Sequence, residues 1–480
     1  MKKRTKIVCT LGPATETEET LEQMVHAGMN VARLNFSHGT YENHATLIKN
    51  IRNVSEKTGK TITILQDLQG PKIRVGTMPE KGVTLEEGSE VVFDTALSEY
   101  VNEHIPVDYT ELHRFVQPEE RLLLNDGRAE VKVLRVEGTQ IVTTVVVGGT
   151  ITSHKGINVP DSRLDIRVMT EKDKKDARFG VENNVDLIAL SFVMKAEDIV
   201  DLRYLIKEYE KEIGVTPEQP IGIIAKIERN EAVKNIDAIM GVVDGIMVAR
   251  GDLGIEIPAQ EVPLVQKKLI DTALAYAKPV IVATQMLDSM QENPRPTRAE
   301  VSDVSNAVID HTDAVMLSNE TAVGKYPVQT VQTMSDIIIE AEKSVYDDLS
   351  LHRHAFQKTQ KVDEVISGLS KELAERVNVK AIIAASISGD TARLISRNRP
   401  EFPIVVATSL ERTKRQIHLS WGVHGFVLPL SRSIEELVER SIIYLKEKEI
   451  VKTGDKIIVV AGEPVGQAGN VNVLEVRDIN

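Results

Sequence analysis

Short runs of β-branched residues alternate with amphipathic helical segments along most of this chain, and this alternation restricts its fold more than any other feature. The first runs are TKIVCTLG, MNVARLNFS and TITILQDL, separated by helical patterns, which predicts β-α-β-α-β. From about residue 70 to residue 167 the pattern changes to strands joined by glycine turns, with hardly any helix. The alternation then resumes with five more strand patterns, VDLIALSFV, PIGIIAKIE, DGIMVAR, KPVIVATQML and TDAVMLSNE.

Three strands before the all-β segment and five after it make eight, the number in a TIM-type (β/α)8 barrel. We therefore predict an α/β fold in which residues 1–69 and 168–345 form the barrel and residues 70–167 form an inserted β-barrel lid domain. An open doubly wound sheet is the alternative architecture. A polar stretch near residues 346–361 suits a linker, and the patterns after it predict a smaller α/β domain within residues 346–480.

Charge and cysteine content exclude several classes of protein. Acidic residues outnumber basic residues by 71 to 58, giving a net charge of −13 and a pI near 5.5, which argues against a generally basic nucleic-acid binder. The one cysteine, Cys9, cannot form an internal disulfide or a cysteine-rich zinc site. The sequence has no signal-peptide pattern and no run of about 18 apolar residues, so we expect no membrane association and a cytoplasmic location.

Reactive side chains follow nearly every predicted barrel strand. Chemistry in such barrels takes place at the carboxyl ends of the strands, so we expect these side chains to share one rim. The alternative is that alternation alone puts a polar residue at most strand ends. The rim residues are Arg33, Asn35, Ser37, His38, Asp67, Lys226, Glu228, Arg250, Gly251, Asp252, Thr284, Gln285, Ser318 and Glu320.

The segment IIAKIERNE places a lysine and a carboxylate on one face of a strand. Because side chains alternate, Lys226 and Glu228 point the same way, and Asp252 adds a second carboxylate from the next strand. Two carboxylates suit Mg²⁺, which takes its other ligands from water and substrate. The alternative is that Lys226 merely forms a salt bridge with one of them.

A cationic rim beside two carboxylates that suit Mg²⁺ is typical of phosphoryl transfer. In that reaction lysine, arginine and metal neutralise the charge on the transferred group. Arg33, Arg74 and Arg250 add to the positive charge of Lys226. The chain has no Walker motif and no glycine-rich dinucleotide loop after a strand. A nucleotide must therefore be held in another way.

The sequence resembles the pyruvate kinase family over its whole length. The motifs that carry the resemblance are RTKIVCTLGPAT, ARLNFSHG, DLQGPKIR, IIAKIE, MVARGDLGIEIP, ATQMLDSM, PTRAEVSDVSNAV and MLSNETAVGKYP. These eight motifs follow the family's order and cover the barrel thoroughly. The all-β insertion and the C-terminal domain match mainly in length and placement.

The resemblance implies transfer of a phosphoryl group from phosphoenolpyruvate to ADP, followed by protonation of enolpyruvate. It implies that Lys226 stabilises the phosphoryl group and that Glu228 and Asp252 bind Mg²⁺ or Mn²⁺. Arg33 would contact the phosphate, and the backbone of Gly251 and Asp252 would meet the substrate carboxylate. Thr284 would lie near the carbon that gains a proton, and our interpretation is that it acts through water with Ser318 nearby. Ser318 satisfying only backbone groups is the alternative.

For the nucleotide, the resemblance implies a set that includes residues of the lid. Arg74, His38 and Asn35 would serve ADP or ATP, and Lys155 would be carried on the lid. His38 as a simple cap or turn residue is the alternative.

Potassium-dependent relatives hold a monovalent cation with side chains matching Asn35, Ser37 and Asp67, and this chain has all three. The same relatives carry Thr, Lys and Glu where this chain has Leu68, Gln69 and Lys72. A lysine ammonium is itself a compact cation. We therefore expect activity without K⁺, the alternative being that Lys72 points to solvent and K⁺ still binds.

In the third domain the family often binds a phosphorylated effector. The matching loop offers Ser386, Ser388, Gly389 and Thr391, which fit a sugar phosphate or a nucleotide. Asp390 stands where relatives usually have arginine, so loss of this regulation is the alternative. The family is usually tetrameric, and we expect a homotetramer.

Two other functions stay open at this stage. One is another Mg²⁺-dependent enzyme of phosphoenolpyruvate or pyruvate, such as a lyase, which would not need Arg74, Lys155 or the lid. The other is a catalytically silent, effector-binding relative. The intact set of Lys226, Glu228, Asp252 and Thr284 argues against it, because a silent protein has no chemical reason to keep all four.

Overall fold

The computed structural model describes residues 3–125, 127–162, 168–348, 361–462 and 471–480. The first three strands of the barrel and two of its helices come before the inserted domain. The elements are β1 (Lys6–Leu11), α1 (Glu18–Ala27), β2 (Val31–Asn35), α2 (Tyr41–Thr58) and β3 (Thr63–Asp67). Threonine side chains cap the starts of both helices, Thr17 accepting from the Thr20 amide and Thr40 from the Asn43 amide.

The inserted domain consists of strands and one short 3₁₀ helix at Leu112–Arg114. Its strands are β4 (Val83–Leu85), β5 (Glu90–Asp94), β6 (His104–Pro106), β7 (Arg121–Leu124), β8 (Ala129–Glu137), β9 (Gln140–Val147), β10 (Gly149–Ile151) and β11 (Ile157–Asn158). They form a six-stranded sheet in the order β11-β7-β8-β9-β5-β6 and a two-stranded sheet of β10 and β4. A separate apolar core, with Phe93 fully buried, supports this domain as a unit.

The chain then completes the barrel. The first elements are α3 (Glu171–Glu182), β12 (Leu187–Leu190), α4 (Ala196–Glu212), β13 (Gly222–Ile227), α5 (Asn230–Lys234), α6 (Ile236–Met240), β14 (Gly245–Ala249) and α7 (Arg250–Glu256). The remaining elements are α8 (Val262–Ala275), β15 (Val280–Ala283), α9 (Arg298–Ile309), β16 (Ala314–Leu317), α10 (Asn319–Ala322) and α11 (Pro327–Ala341). Capping boxes at Thr170 with Asp173, and at Thr297 with Glu300, begin α3 and α9.

Eight parallel strands close the barrel in the order β1-β16-β15-β14-β13-β12-β3-β2. The TIM-type prediction is therefore confirmed, and the open doubly wound sheet is wrong. Apolar side chains from alternate strand positions, such as Val8, Leu65 and Met247, fill the interior. The carboxyl ends of the strands all lie at one end, next to the inserted domain.

The C-terminal domain is a second, smaller α/β unit. Its elements are α12 (Val362–Val377), β17 (Ala381–Ala385), α13 (Asp390–Ser396), β18 (Ile404–Thr408), α14 (Glu411–Ile417), β19 (Val423–Val427), α15 (Ile434–Glu447), β20 (Lys456–Ala461) and β21 (Val473–Asp478). The sheet order is β19-β18-β17-β20-β21. Strands β17 to β20 are parallel and match the predicted runs. β21 pairs antiparallel with β20 and was not predicted from the sequence.

This domain packs against the amino-terminal end of the barrel. Leu419 lies in the same apolar cluster as the barrel interior and closes its base. Fully buried Asp186, just before β12, accepts hydrogen bonds from Arg415 Nε at 2.6 Å and Arg52 Nη2 at 3.0 Å. The base of the barrel is thus used for stability, which leaves the opposite end for chemistry.

The residue limits of the three domains stay predictions. The second limit adjoins residues 163–167, and the predicted linker falls mostly on residues 349–360, all of which lie outside the described residues. In the part of the chain that the structure describes, no helix is both long enough and apolar enough to span a bilayer.

Candidate active site

Lys226, near the end of β13, lies at the centre of the carboxyl-end rim. Its Nζ atom is 2.9 Å from Glu228 Oε1 and 3.3 Å from Asp67 Oδ1, and it donates a hydrogen bond to Ser191 Oγ at 2.7 Å. The sequence predicted Lys226 and Glu228 on one face, and the structure brings them together. The lysine pairs with two carboxylates, one of them from another strand.

Asp67 joins the two buried cations of the rim. Arg33 Nε donates to Asp67 Oδ2 at 2.6 Å, and Arg33 Nη1 donates to Thr10 Oγ1 at 2.8 Å. Although burial opposes ionisation, Lys226 and Arg33 lower the pKa of the Asp67 carboxyl below its usual range. Burial likewise disfavours the charged lysine, but Asp67 and Glu228 outweigh it and raise the pKa of Lys226. Lys226 therefore carries a full positive charge at neutral pH.

Glu228 is 1% exposed and is held at both oxygens. Its Oε2 atom accepts a hydrogen bond from the Phe192 amide at 2.6 Å. Burial raises the pKa of Glu228, Lys226 lowers it, and the charge of Asp252 raises it.

Ser191, which follows β12, is the rim residue that sequence reasoning missed. Its hydroxyl accepts from Lys226 and donates to the Leu68 carbonyl at 2.7 Å, linking the lysine to the end of β3. Gly70 has φ +71°, and a Cβ there would lie 2.8 Å from Ser191 Cβ. The available signal was the serine directly after the run VDLIAL.

Asp252 and Lys72 border a cleft of about 1370 Å³, whose lining does not include Lys226 or Glu228. Lys72 Nζ lies 3.7 Å from Asp252 Oδ1, and the two side chains are 23% and 28% exposed. Other residues on the cleft wall are Arg128, Arg250, Gly251, Thr284, Ser318 and Glu320. Lys72, predicted for the monovalent-cation pocket, thus pairs with a predicted metal ligand.

The donor set fits a divalent ion that needs few protein ligands. Among the described residues, no group of three or more His, Cys, Asp and Glu side chains is arranged to hold a metal ion. Glu228 and Asp252 offer two carboxylates, and water and substrate would have to supply the remaining ligands. Mg²⁺ and Mn²⁺ accept that arrangement, whereas structural zinc requires a closed set of four ligands.

Thr284 and Gly251 contact each other just beyond the ends of the neighbouring strands β15 and β14. The Gly251 amide donates to Thr284 Oγ1 at 2.8 Å, and this hydroxyl donates to the Ala283 carbonyl at 2.6 Å. The structure therefore brings these two predicted residues together at the cleft wall.

Ser318 follows β16 and begins α10. Buried Glu320 accepts from the Ser318 amide at 2.7 Å and from the Leu287 amide at 3.2 Å, and burial raises its pKa. The Ser318 carbonyl accepts from the Ala322 amide at 3.1 Å. The backbone of Ser318 thus has a structural role, while its side chain lines the cleft.

Asn35 and Ser37 lie in the turn after β2, next to the end of β3. Asn35 is the register partner of Asp67, and Asn35 Oδ1 accepts from the Ser37 amide at 3.2 Å. His38 is exposed, its amide donates to the Asn35 carbonyl at 3.2 Å, and its carbonyl lies 3.0 Å from His44 Nε2. The three residues predicted to hold a monovalent cation are therefore neighbours.

Arg74 and Lys155 lie on adjoining segments of the inserted domain. Arg74 Nη1 donates to the His154 carbonyl at 3.0 Å, and the Val75 amide donates to the Lys155 carbonyl at 2.8 Å. The Lys155 side chain is exposed.

The predicted effector loop lies between β17 and α13. Ser386 Oγ accepts from the Gly389 amide at 3.0 Å, and Gly389 has φ +88°. Ser388 Oγ donates to Asp390 at 2.6 Å, and Arg393 Nη2 donates to the same carboxylate at 2.7 Å. Thr391 is buried at the start of α13. The carboxylate of Asp390 therefore accepts from both the Ser388 hydroxyl and the Arg393 guanidinium.

Comparison with known proteins gives consistent matches along the whole chain. The family model for the pyruvate kinase barrel domain matches residues 2–331, and the model for the pyruvate kinase alpha/beta domain matches residues 364–477. Pyruvate kinase of Geobacillus stearothermophilus is 43% identical over 482 residues, covering 100% of this chain and 81% of that protein. Pyruvate kinase of Bacillus licheniformis is 45% identical over 478 residues, covering 99% and 80%.

A solved structure agrees with the sequence matches. The crystal structure of a pyruvate kinase from Cryptosporidium parvum superposes with a TM-score of 0.93 at 36% identity, covering 99% of this chain and 96% of that one. Barrel, inserted domain and C-terminal domain are all included in that coverage. Together with the rim of Lys226, Glu228 and Asp252, these matches show that the chain belongs to the pyruvate kinase family.

Proposed function

We propose that Lys226 stabilises the phosphoryl group that this enzyme moves from phosphoenolpyruvate to ADP, the reaction that yields pyruvate and ATP in the last step of glycolysis. The observation that carries this proposal is the largely buried ammonium of Lys226, fixed by Asp67, Glu228 and Ser191. A charge held in place by the fold needs no reorganisation when the transition state forms. Arg33, held by the same Asp67, contacts the phosphate of the substrate.

The family requires a divalent cation, and we assign Mg²⁺ or Mn²⁺ to Glu228 and Asp252. When bound, such an ion neutralises charge on the phosphoryl oxygens. The Phe192 amide orients Glu228, and Lys226 limits the repulsion between the two carboxylates. Removal of either carboxylate therefore weakens metal binding without removing the lysine.

The substrate carboxylate binds at the backbone of Gly251 and Asp252, and Thr284 lies beside the carbon that is protonated. In this proposal Thr284 acts through a water molecule, with Ser318 next to it on the cleft wall. The Thr284 hydroxyl itself donates to the Ala283 carbonyl, which favours a relay over direct transfer. ADP is bound by Arg74 and Lys155 of the lid, and by His38 and Asn35 at the rim.

We propose that the enzyme does not require K⁺. Both oxygens of Asp67, a residue of the monovalent-cation pocket, lie near cations, Arg33 and Lys226. Lys72 adds an ammonium at the cleft, 3.7 Å from Asp252. A fixed lysine charge reduces the need for a mobile cation at this rim.

The test compares pyruvate formation from phosphoenolpyruvate, ADP and Mg²⁺ in potassium-free buffer and in saturating K⁺. We expect equal rates for the wild type and a new K⁺ requirement in Lys72→Glu. Lys175→Glu, which changes an exposed lysine on α3, is the matched control and keeps the wild-type behaviour. Activity of the wild type only with K⁺ would overturn the role of Lys72, and no activity in either buffer would favour the silent relative.

Further proposals concern regulation and assembly. The loop of Ser386, Ser388, Gly389 and Thr391 is where a sugar phosphate or nucleotide effector would bind, and Asp390, which accepts from Ser388 and Arg393, opposes such a ligand. A homotetramer formed through barrel and C-terminal surfaces, in the cytoplasm, is the assembly that we propose.

A further inference from the structure

The turn after β15 holds two consecutive non-glycine residues in the left-handed region. Thr284 has φ +72° and Gln285 has φ +54°. For a β-branched residue such as Thr284 this conformation is an outlier that costs free energy. The surrounding structure must therefore hold the turn in place.

Arg250, the first residue of α7, makes the contacts that hold it. Its Nη2 atom donates to the Thr284 carbonyl at 2.7 Å, and its Nε atom donates to the Ala283 carbonyl at 3.3 Å. The Nη1 atom donates to Asp303 Oδ1 on α9 at 2.7 Å. The guanidinium thus joins two successive carbonyls of the turn to a neighbouring helix.

A reciprocal contact completes the arrangement. The amide of Gly251, the residue after Arg250, donates to Thr284 Oγ1 at 2.8 Å. The Arg250 side chain therefore binds the carbonyl of Thr284, and the Gly251 amide binds its hydroxyl. The position of the Thr284 hydroxyl relative to the Gly251 amide is fixed by these two contacts.

We propose that Arg250 and Asp303 are positioning residues that hold Thr284 in the geometry required for turnover. The inference rests on the proposed role of Thr284 near the reacting carbon. Arg250 resembles a rim cation in the sequence, but Asp303 neutralises its charge and three of its donors are occupied. Arginine suits this task because its planar fork binds several acceptors at fixed angles, which a lysine ammonium does not.

The effect on the rate follows from geometry. Misplacing a reacting group by about 1 Å costs up to about a hundredfold in rate. Asp303 is 36% exposed, so Asp303→Asn weakens the ion pair with little effect on folding. We expect this variant to lower kcat about tenfold or more, with a much smaller change in the KM for phosphoenolpyruvate.

A double-mutant cycle tests whether Asp303 acts through Thr284. We expect Asp303→Asn to lower kcat in the wild-type background and to change it less than about twofold in the Thr284→Ala background. Arg250→Lys, which keeps the charge but loses the fork, should follow the same pattern. Glu182→Gln is the control, because it weakens a comparable 3.0 Å pair with Arg178 on α3, away from the cleft.

The outcomes separate this inference from the proposed function. Equal effects of Asp303→Asn in both backgrounds would overturn the positioning role and leave the role of Thr284 intact. A Thr284→Ala variant with full kcat would overturn both. Thermal unfolding midpoints no lower than that of the Glu182→Gln control, combined with non-additive kcat values, would support the inference.

Discussion

Replacing Lys226 by methionine is the most direct test of the catalytic centre. Methionine preserves much of the length and volume of the side chain but removes the ammonium that lies between Glu228 and Asp67, at 2.9 and 3.3 Å. Asp67 keeps its hydrogen bond from Arg33, and Glu228 keeps that from the Phe192 amide. The remaining carboxylates therefore stay oriented, and the main change is the loss of one positive charge.

The expected magnitude follows from the distance to the moving phosphoryl group. A unit charge about 4 Å away, at an effective dielectric constant of about 20, contributes about 4 kcal/mol. Asp67 and Glu228 already offset part of the charge of Lys226, so we expect its contribution to the transition state to be below this value. Loss of one such group typically costs about 2.7–4 kcal/mol, and we expect kcat to fall by about 10²- to 10³-fold.

The assay is the steady-state rate of pyruvate formation at saturating phosphoenolpyruvate, ADP and Mg²⁺. Lys175→Met is the matched control, because it removes an exposed lysine of α3 and should keep the wild-type rate. Circular dichroism and thermal unfolding verify that the Lys226→Met variant is folded. If this folded variant keeps more than about a hundredth of the wild-type kcat, the electrostatic role of Lys226 is wrong.

Two other predictions concern metal binding and pH. Glu228→Gln should raise the midpoint of a Mg²⁺ titration of the rate by about tenfold or more, because one of two carboxylate ligands is lost, and an unchanged midpoint would remove Glu228 from the metal site. Burial raises the pKa of Asp347, beside Arg4, to about 7, so the folded chain holds this proton more tightly than the unfolded chain does. The resulting stabilisation is present at low pH and is lost as pH rises through about 7. The stability of wild type relative to Asp347→Asn, measured by thermal unfolding, should therefore decrease between about pH 5 and pH 8, and a constant difference would contradict the argument.

The barrel was predictable because its strands are buried on both faces. Runs such as IIAKI on β13 show little alternation of polar and apolar residues, and the helices between them have clear amphipathic patterns. β21, with the sequence VLEVRD, lacks that signal because it lies at the edge of its sheet and keeps charged residues. Its antiparallel pairing with β20 also breaks the parallel rhythm of the domain, so the missed strand has a physical cause.

The centre of the site was predictable to the extent that it depends on strand alternation. Lys226 and Glu228 follow from residue spacing on one strand, whereas the contact of Lys226 with Ser191 requires a neighbouring strand. The contacts of Arg250 were not predictable from the sequence, since two of its acceptors are backbone carbonyls at the end of another strand. A sequence pattern identifies side chains at a rim but does not show which backbone acceptors the closed barrel brings near them.

The charge balance of the centre explains how an acidic chain can handle two anionic substrates. Around Lys226 the structure gathers equal numbers of cations and carboxylates in ion pairs, namely Arg33, Lys72 and Lys226 with Asp67, Glu228 and Asp252. The net charge of −13 is therefore distributed elsewhere, and the rim itself is close to neutral. If Glu228 and Asp252 hold a divalent ion, as we propose, that ion would make the rim positive, because Lys226 and Lys72 already offset the two carboxylates. On this proposal the binding of the anions would depend on the metal, and the exposed Lys155 of the inserted domain would add positive charge for the nucleotide.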